Sequence, residues 1–202
     1  MKKNARKKDN KHQNRPRALE GSKERSNRQG NRGIRASGNR SQKGVAKKMS
    51  NVKRKGEVNW LVRHLGISPR KLTAAVSFNE RLRVQKAVFL LKHLGVAPFT
   101  DYDFTLYVHG PYSPTLATDY YDVAKVRPMA MKLDPKLETL LDWFASNDER
   151  WLEVASSIIS IKEKYPNDRN EAIHSLLRMS KPWVDRGTFN SVMTELEKKG
   201  AV

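Results

Sequence analysis

The aromatic residues divide this chain into two parts. All of its tryptophan, tyrosine and phenylalanine residues lie at position 60 or beyond, starting with Trp60. The first 58 residues hold 20 Lys and Arg against 4 Asp and Glu, whereas the remaining residues hold 20 against 17. A highly charged segment with few apolar side chains buries too little surface to offset its conformational entropy. We therefore predict a disordered basic tail over residues 1–58 and a folded domain over residues 59–202.

The basic tail predicts contact with a polyanion. Neutralising phosphates releases counterions, so binding to RNA or DNA should weaken steeply as salt rises. The tail has no aromatic side chain to stack on a base, so we expect this contact to be non-specific. The residues expected to make it are Lys2, Lys3, Arg6, Lys7, Lys8, Arg28, Arg32, Arg35, Arg40, Lys47, Lys48, Lys53, Arg54 and Lys55. Met49 leaves open a later start, which would remove most of the tail.

Several classes of protein are excluded by composition. The chain has no cysteine, which excludes disulfides, a thiol nucleophile and cysteine-ligated metal sites. No apolar run approaches the roughly 20 residues of a membrane span, and no apolar segment follows the basic N-terminus as in a secretory signal. We therefore expect a cytoplasmic protein without a membrane partner. No phosphate-binding loop or short metal-ligand spacing occurs, so we expect no cofactor and no metal. The oligomeric state stays open.

Apolar spacing after residue 59 predicts a mainly α fold, a compact multi-helix domain with a minor β element. Asn79 can cap a helix over ERLRVQKAVFLLKHLG, which ends at Gly95. NWLVRHLG and SPRKLTAAV predict shorter helices, the second opened by Ser68. Further helices are expected after Ser113, after Asp134, around Trp151, after Asp168 or Asn170, and around Phe189 up to Gly200.

Alternating apolar residues over positions 103–108 predict one strand. Its partner is expected in residues 97–100 or 126–131, and the sequence leaves that choice open. Gly110 and Pro111 are expected to form the turn out of the strand. Ser113 followed by proline is typical of a helix N-cap and first helical position.

The chain shows no convincing catalytic group. Ser113 and His109 could be imagined as a nucleophile and its base, but GPYSP lacks the glycines of the strained G-x-S-x-G turn. Asp119 and Asp122 share a helix face without a third acidic residue, so we expect both to be solvated. His64, His93 and His174 are expected to be structural or surface residues. We therefore expect a protein that is not an enzyme.

Two motifs resemble a known family. RLRVQKAVFLLKHLG and FTLYVHGPYSPTLATDYY, with LEVASSIIS and SKPWVDRGTFNSVMTELEKKG further on, resemble the YwgA-like family of uncharacterised prokaryotic proteins. The matching positions are Arg81, Leu82, Gln85, Lys86, Phe89, Tyr107, Gly110, Pro111, Tyr112, Ser113, Leu116, Lys181 and Pro182. The layout is more distantly similar to the SocA-like, or Panacea, antitoxin domain. The resemblance covers residues 59–202 and does not extend to the basic tail.

The resemblance implies a structural signature at Gln85, Lys86, Gly110, Pro111 and Ser113. It also implies a domain that neutralises a toxin by protein contact or, in one branch, presents the toxin to a protease.

With no catalytic group in view, we expect a non-enzymatic interaction module, antitoxin-like or an adaptor. The candidate partner surface is Tyr107, His109, Tyr112 and Tyr120, around a rigid aromatic and proline corner. The alternative is a nucleic-acid-binding regulator that uses the tail and a helix-turn-helix-like C-terminal region. Glu195 and Glu197 in its second helix, over residues 188–199, favour core packing instead.

Overall fold

The computed structural model describes the backbone of residues 38–202 and the side chains from residue 51 onward. Within that range the chain is mainly helical, which confirms the predicted fold class. The α-helices are α1 (Gly38–His64), α2 (Phe78–His93), α3 (Pro114–Val123), α4 (Pro135–Ala145), α5 (Glu149–Lys164), α6 (Asn170–Ser180) and α7 (Arg186–Lys199). Two 3₁₀ helices, Pro69–Thr73 and Phe99–Asp101, and a small sheet of β1 (Thr105–Tyr107) and β2 (Gly110–Tyr112) complete it.

Helix α1 differs from the predicted division of the chain at residue 58. It runs without a break from Gly38 to His64, so the expected short helix over NWLVRHLG is only its last part. Val58 is fully buried, and the Asn59 side-chain amide donates to the carbonyls of Val123 and Val126 at 2.9 and 2.7 Å. Composition misplaced the boundary because the basic residues just before Val58 belong to the same helix as the first core residues. Residues 1–37 of the expected tail lie outside the described residues.

Helix α2 lies at the centre of the domain and is buried on every side. Every residue from 84 to 91 is buried. Leu82 and Phe89 pack with α5, α6 and α7, whereas Val88 and Leu91 pack with α1 and α3. The middle of α2 therefore contacts both core clusters.

The helix ends follow local capping chemistry, and several predicted caps are confirmed. The Ser113 hydroxyl accepts from the Leu116 amide at 3.3 Å, and the Asp134 carboxylate accepts from the Lys136 amide at 2.9 Å. Gly200 ends α7 with a φ of 68°, the left-handed conformation that glycine adopts without strain.

Two predicted helix starts are wrong. Helix α2 begins at Phe78 after Ser77, not after Asn79, because the Arg81 amide donates to the Ser77 carbonyl at 3.1 Å. The helix after Ser68 starts where predicted, with Pro69 in its first turn, but it is a short 3₁₀ helix and the Ser68 side chain makes no capping hydrogen bond. Helix α6 starts after Arg169, so neither of the two proposed caps occupies that position.

The predicted strand is present, but both of its predicted partners are wrong. β1 pairs antiparallel with β2, and Tyr107 lies opposite Gly110 across a loop of Val108 and His109. Gly110 has a φ of 83°, which lets the backbone turn back at once. Closing the short loop of a local hairpin costs less conformational entropy than pairing with a strand farther along the chain. Gly110 and Pro111 therefore start the second strand instead of leading out of the sheet.

Candidate functional site

The hairpin is held by two polar side chains of the central helix. The Gln85 side-chain oxygen accepts from the Ser113 amide at 2.9 Å, and its nitrogen donates to the Ser113 carbonyl at 3.1 Å. The Lys86 ammonium donates to the Pro111 carbonyl at 2.8 Å. Gln85 and Lys86 are buried, so these bonds offset the cost of removing polar groups from water. The two motifs that carry the family resemblance therefore meet in space.

Gly110 occupies a position with no room for a side chain. A Cβ atom there would lie 3.0 Å from the hydroxyls of both Ser156 and Ser157 and 3.1 Å from the Lys86 ammonium. The positive φ adds a second reason for glycine. The hairpin therefore packs its backbone directly against α2 and α5.

Two buried lysines contact the hairpin, and one of them also pairs with a carboxylate. Lys181 is fully buried, donates to the Val108 carbonyl and lies 3.5 Å from a Glu153 oxygen. The other Glu153 oxygen lies 2.5 Å from His109 Nδ1. We call Lys86, Lys181, Glu153 and His109 the hairpin cluster.

The charges of the hairpin cluster do not balance. Burial lowers the pKa of Lys86 to about 7, which the Glu153 carboxylate opposes and the Lys181 charge reinforces. Burial also lowers the pKa of Lys181, against the same carboxylate. Each shift means that the folded protein disfavours the charged amine relative to water. The cluster therefore contains two buried amines and a single carboxylate.

A cavity of about 330 Å³ opens between α2, the hairpin and α3, next to Lys86. Exposed aromatic and aliphatic side chains form much of its rim, with Phe78 47%, Tyr107 56% and Val108 69% exposed. None of its lining residues is acidic. The lining is Phe78, Arg81, Leu82, Gln85, Lys86, Tyr107, Val108, His109, Gly110, Tyr112, Ala117 and Tyr120.

A second cavity of about 620 Å³ adjoins the first, and we call the two together the groove. It shares Arg81, Tyr112, Ala117 and Tyr120 with the first cavity and extends to residues 72–75. Arg81 lies at the junction, where its guanidinium donates to the carbonyls of Leu72 at 3.3 Å and Ala74 at 2.9 Å. It forms no ion pair with any residue described from position 51 onward.

The four residues of the predicted partner surface all line the first cavity, but they are not equivalent. Tyr107, His109 and Tyr112 are exposed, and the two tyrosine rings pack edge to face at 5.7 Å. Tyr120 is only 3% exposed, and its hydroxyl donates to the Arg81 carbonyl at 3.2 Å. Tyr120 therefore forms the cavity wall instead of an exposed contact, because α3 turns this ring toward α2.

Sequence reasoning missed three residues of this region. Phe78 packs edge to face against His109 at 5.0 Å and closes one side of the cavity. Arg81 and Lys181 appeared only as positions of the resemblance, without a role. A lysine within an apolar stretch, such as Lys181 before Pro182, is the signal that could have indicated a buried charge.

Part of the predicted polyanion surface is engaged inside the domain. An Arg54 guanidinium nitrogen lies 3.2 Å from an Asp119 oxygen, and the Lys55 ammonium lies 2.5 Å from Asp122 and 3.6 Å from Asp119. The Tyr102 hydroxyl donates to Asp119 at 2.8 Å. We call these five residues the α1–α3 cluster.

The α1–α3 cluster corrects two expectations. Asp119 is 4% exposed, so it is a buried ion-pair partner and not a solvated surface carboxylate. Arg54 and Lys55 are drawn inward by it instead of being free for phosphates. Lys53 has a 64% exposed side chain, 3.9 Å from Glu57.

The other residues expected in the polyanion surface, from Lys2 to Lys48, have no described side chains. The structure describes the backbone but not the side chains of Arg40, Lys47 and Lys48, which lie in α1. The tail positions up to 35 lie outside the described residues altogether.

The three other histidines with described side chains each have a partner. His64 and His93 lie 2.7 Å from Asp142 and Glu163, and buried His174 lies 3.2 Å from the Val184 carbonyl. Among the residues with described placement, no group of three or more His, Asp or Glu could hold a metal ion. Across the same part of the chain, no helix has the length and apolarity needed to cross a membrane.

Comparison of the chain with family models, with curated proteins and with solved structures gave no match. The resemblance to the YwgA-like family and to SocA-like antitoxins therefore stays a prediction.

Proposed function

We propose that the folded domain is a non-enzymatic interaction module, antitoxin-like or an adaptor, that binds a partner protein through the groove. The observation that carries this proposal is the cavity beside the hairpin, which is apolar, open and rimmed by exposed aromatic side chains. Aromatic residues in or beside pockets supply much of the binding energy in protein interfaces. Phe78, Tyr107 and Tyr112 provide them here.

The charges of the groove indicate the chemistry of the partner. Arg81, Lys86 and His109 line the first cavity, and no acidic residue does. Complementary charge favours a correct partner and disfavours others. We therefore propose a partner segment that combines an apolar anchor with an acidic group.

Affinity capture with matched variants tests the proposed function. The full chain is tagged and expressed in its own cells, alongside Tyr112→Ala, Phe78→Ala and Tyr165→Ala. Tyr165 is the control because it is 46% exposed but lies outside the groove. We expect the wild type and Tyr165→Ala to retain a partner that both groove variants lose. A partner retained equally by all four proteins, or no partner at all, would contradict the proposal.

The basic N-terminal segment supports a second candidate function, non-specific binding of RNA or DNA. Residues 1–37 hold 13 Lys and Arg against 3 Asp and Glu. Helix α1 starts at Gly38, so a deletion of residues 1–37 leaves the whole helix in place. We expect the full chain to bind a duplex at low salt with an affinity that falls steeply as salt rises, and the deletion to abolish binding. Salt-dependent binding that survives the deletion would place the site in the folded domain.

A further inference from the structure

We propose that the partner binds the groove by its C-terminus, with the last side chain in the cavity and the terminal carboxylate on Lys86. This inference rests on the proposed function and names the part of the partner that is recognised. It adds a role for Lys86, which the family resemblance marks only as a structural position.

The unbalanced charge of the hairpin cluster is the first argument. Lys86 and Lys181 are at most 2% exposed, and Glu153 is the one carboxylate that ion-pairs within this cluster among the described residues. The other Glu153 oxygen contacts a ring nitrogen of His109. A buried cation without full compensation is costly, and an incoming anion would remove that cost.

The hydrogen bonds of Lys86 are the second argument. An ammonium group has three protons to donate. Lys86 uses one on the Pro111 carbonyl and has no other hydrogen bond within the part of the chain that the structure describes. Because Lys86 also lines the cavity, a carboxylate seated there could accept from it.

The other polar groups of the wall favour a chain end over an internal segment. The side-chain oxygen and nitrogen of Gln85 are both hydrogen-bonded to Ser113, and the Tyr120 hydroxyl donates to the Arg81 carbonyl. An internal segment inserted here would bury backbone amides and carbonyls without partners. A C-terminal residue carries a carboxylate, which can accept a hydrogen bond from the Lys86 ammonium.

The size and continuity of the groove indicate the direction in which the bound partner segment runs. The first cavity, about 330 Å³, is at the lower end of the roughly 300–1,000 Å³ of ligand pockets, so it suits one residue and not a helix. The adjoining cavity of about 620 Å³ continues past Arg81 and Tyr112 and can receive the preceding residues. Arg81 then faces the partner chain where it crosses between the cavities.

Titration with N-acetylated amino acids, which mimic the C-terminal residue of a chain, tests the inference. The full chain is titrated with N-acetyl-leucine and N-acetyl-phenylalanine, each as free acid and as amide, and binding is followed by NMR. The pH is kept below the Lys86 pKa of about 7, so that the amine is charged. We expect the acids to bind at least about tenfold more tightly than the amides, since hydrogen bonds to charged groups contribute more than neutral ones.

Variants of Lys86 identify the recognising group. We expect Lys86→Met to remove the preference for the acid over the amide. Lys86→Gln is a second variant in case the first folds poorly. Lys92→Met is the matched control, because Lys92 lies on the same helix and also donates to a backbone carbonyl, that of Tyr102 at 2.7 Å, but does not line the groove. The control should keep the full preference.

Four results would overturn the inference. Acid and amide could bind equally, or the preference could survive both Lys86 variants. Octanoate could bind where neither N-acetylated acid does, which would make the cavity a site for a small carboxylic acid. A partner captured equally by wild type and Lys86→Met, yet lost by Tyr112→Ala, would leave the proposed function intact and refute only the carboxylate contact.

Discussion

The domain contains two buried charge clusters that differ in how their charges are matched. In the α1–α3 cluster, Arg54 and Lys55 each have a carboxylate of Asp119 or Asp122 within 4 Å, and the exposed Lys125 also pairs with Asp122. In the hairpin cluster, Lys86 and Lys181 face a single carboxylate, which His109 also contacts.

This difference indicates different roles for the two clusters. A matched buried cluster is complete in itself and joins α1 to α3. An unmatched cluster beside an open cavity leaves positive charge for an anion to compensate. The contrast predicts that removing a charge destabilises the first cluster and does not destabilise the second.

The largest effect is expected from Asp119→Ala. The substitution leaves Arg54 and Lys55 without a buried partner and removes the acceptor of the Tyr102 hydroxyl. We expect the free energy of unfolding to fall by about 3–5 kcal/mol, as for other broken buried ion pairs, measured by urea denaturation. Asp122→Asn is the control, since Asp122 is more exposed, and its loss should be far smaller. Equal losses would show that burial does not distinguish these carboxylates.

Gly110→Ala should be the next most destabilising change. Alanine would adopt a positive φ and place its Cβ 3.0 Å from two serine hydroxyls and 3.1 Å from Lys86. Gly66→Ala separates the two causes, because Gly66 has a φ of 71° and nothing within 4 Å of the added atom. We expect the control to lose about 1–2 kcal/mol of unfolding free energy from the backbone alone, and Gly110→Ala clearly more. Similar losses would refute the close contact between hairpin and helix.

Lys86→Met should leave the domain as stable as the wild type or make it more stable. Replacing a buried charge by an apolar side chain of similar length removes its desolvation cost. The pKa of Lys86 is about 7 in the folded protein and 10.5 ordinarily. Between these pH values the unfolded wild type therefore binds more protons than the folded wild type. Wild-type stability should therefore rise with pH across that window relative to the variant. Thermal unfolding of both proteins from neutral to alkaline pH measures the difference in stability between them. A stability difference that does not narrow as the pH rises would contradict an uncompensated charge on Lys86.

The smallest effect is expected from His109→Ala. The imidazole is 56% exposed, so losing its contact with Glu153 should change the unfolding free energy by at most about 1 kcal/mol. The same variant removes the ring that packs on Phe78 at one side of the cavity. A loss as large as that of Asp119→Ala would place His109 within the structural core of the hairpin.

The sequence predicted the elements that have strong local signals. The Ser113 and Asp134 caps and the mainly helical fold follow from chemistry within a few residues of each site. Ser77, as the start of α2, depends on the preceding 3₁₀ turn and was missed. The partner of β1 was missed because apolar alternation identifies a strand but not the strand next to it.

The candidate site was harder to predict, for a physical reason. Lys86 and Lys181 are far apart in the chain, and their burial depends on how α2, α5 and the hairpin pack. Aromatic content indicated Tyr107 and Tyr112, whereas the orientation of Tyr120 needed the packing of α3 on α2. The resemblance marked Gln85 and Ser113 as structural positions, and the structure shows that they bond to each other.

The central position of α2 has a consequence for cooperativity. Both core clusters use side chains of this one helix, so neither half of the domain can open fully while α2 keeps all of its contacts. The domain should therefore unfold as a single unit, and the amide hydrogens of residues 84–91 should exchange with solvent most slowly. Since Gln85 and Lys86 lie within that segment, the floor of the groove is fixed by the part of the molecule that moves least.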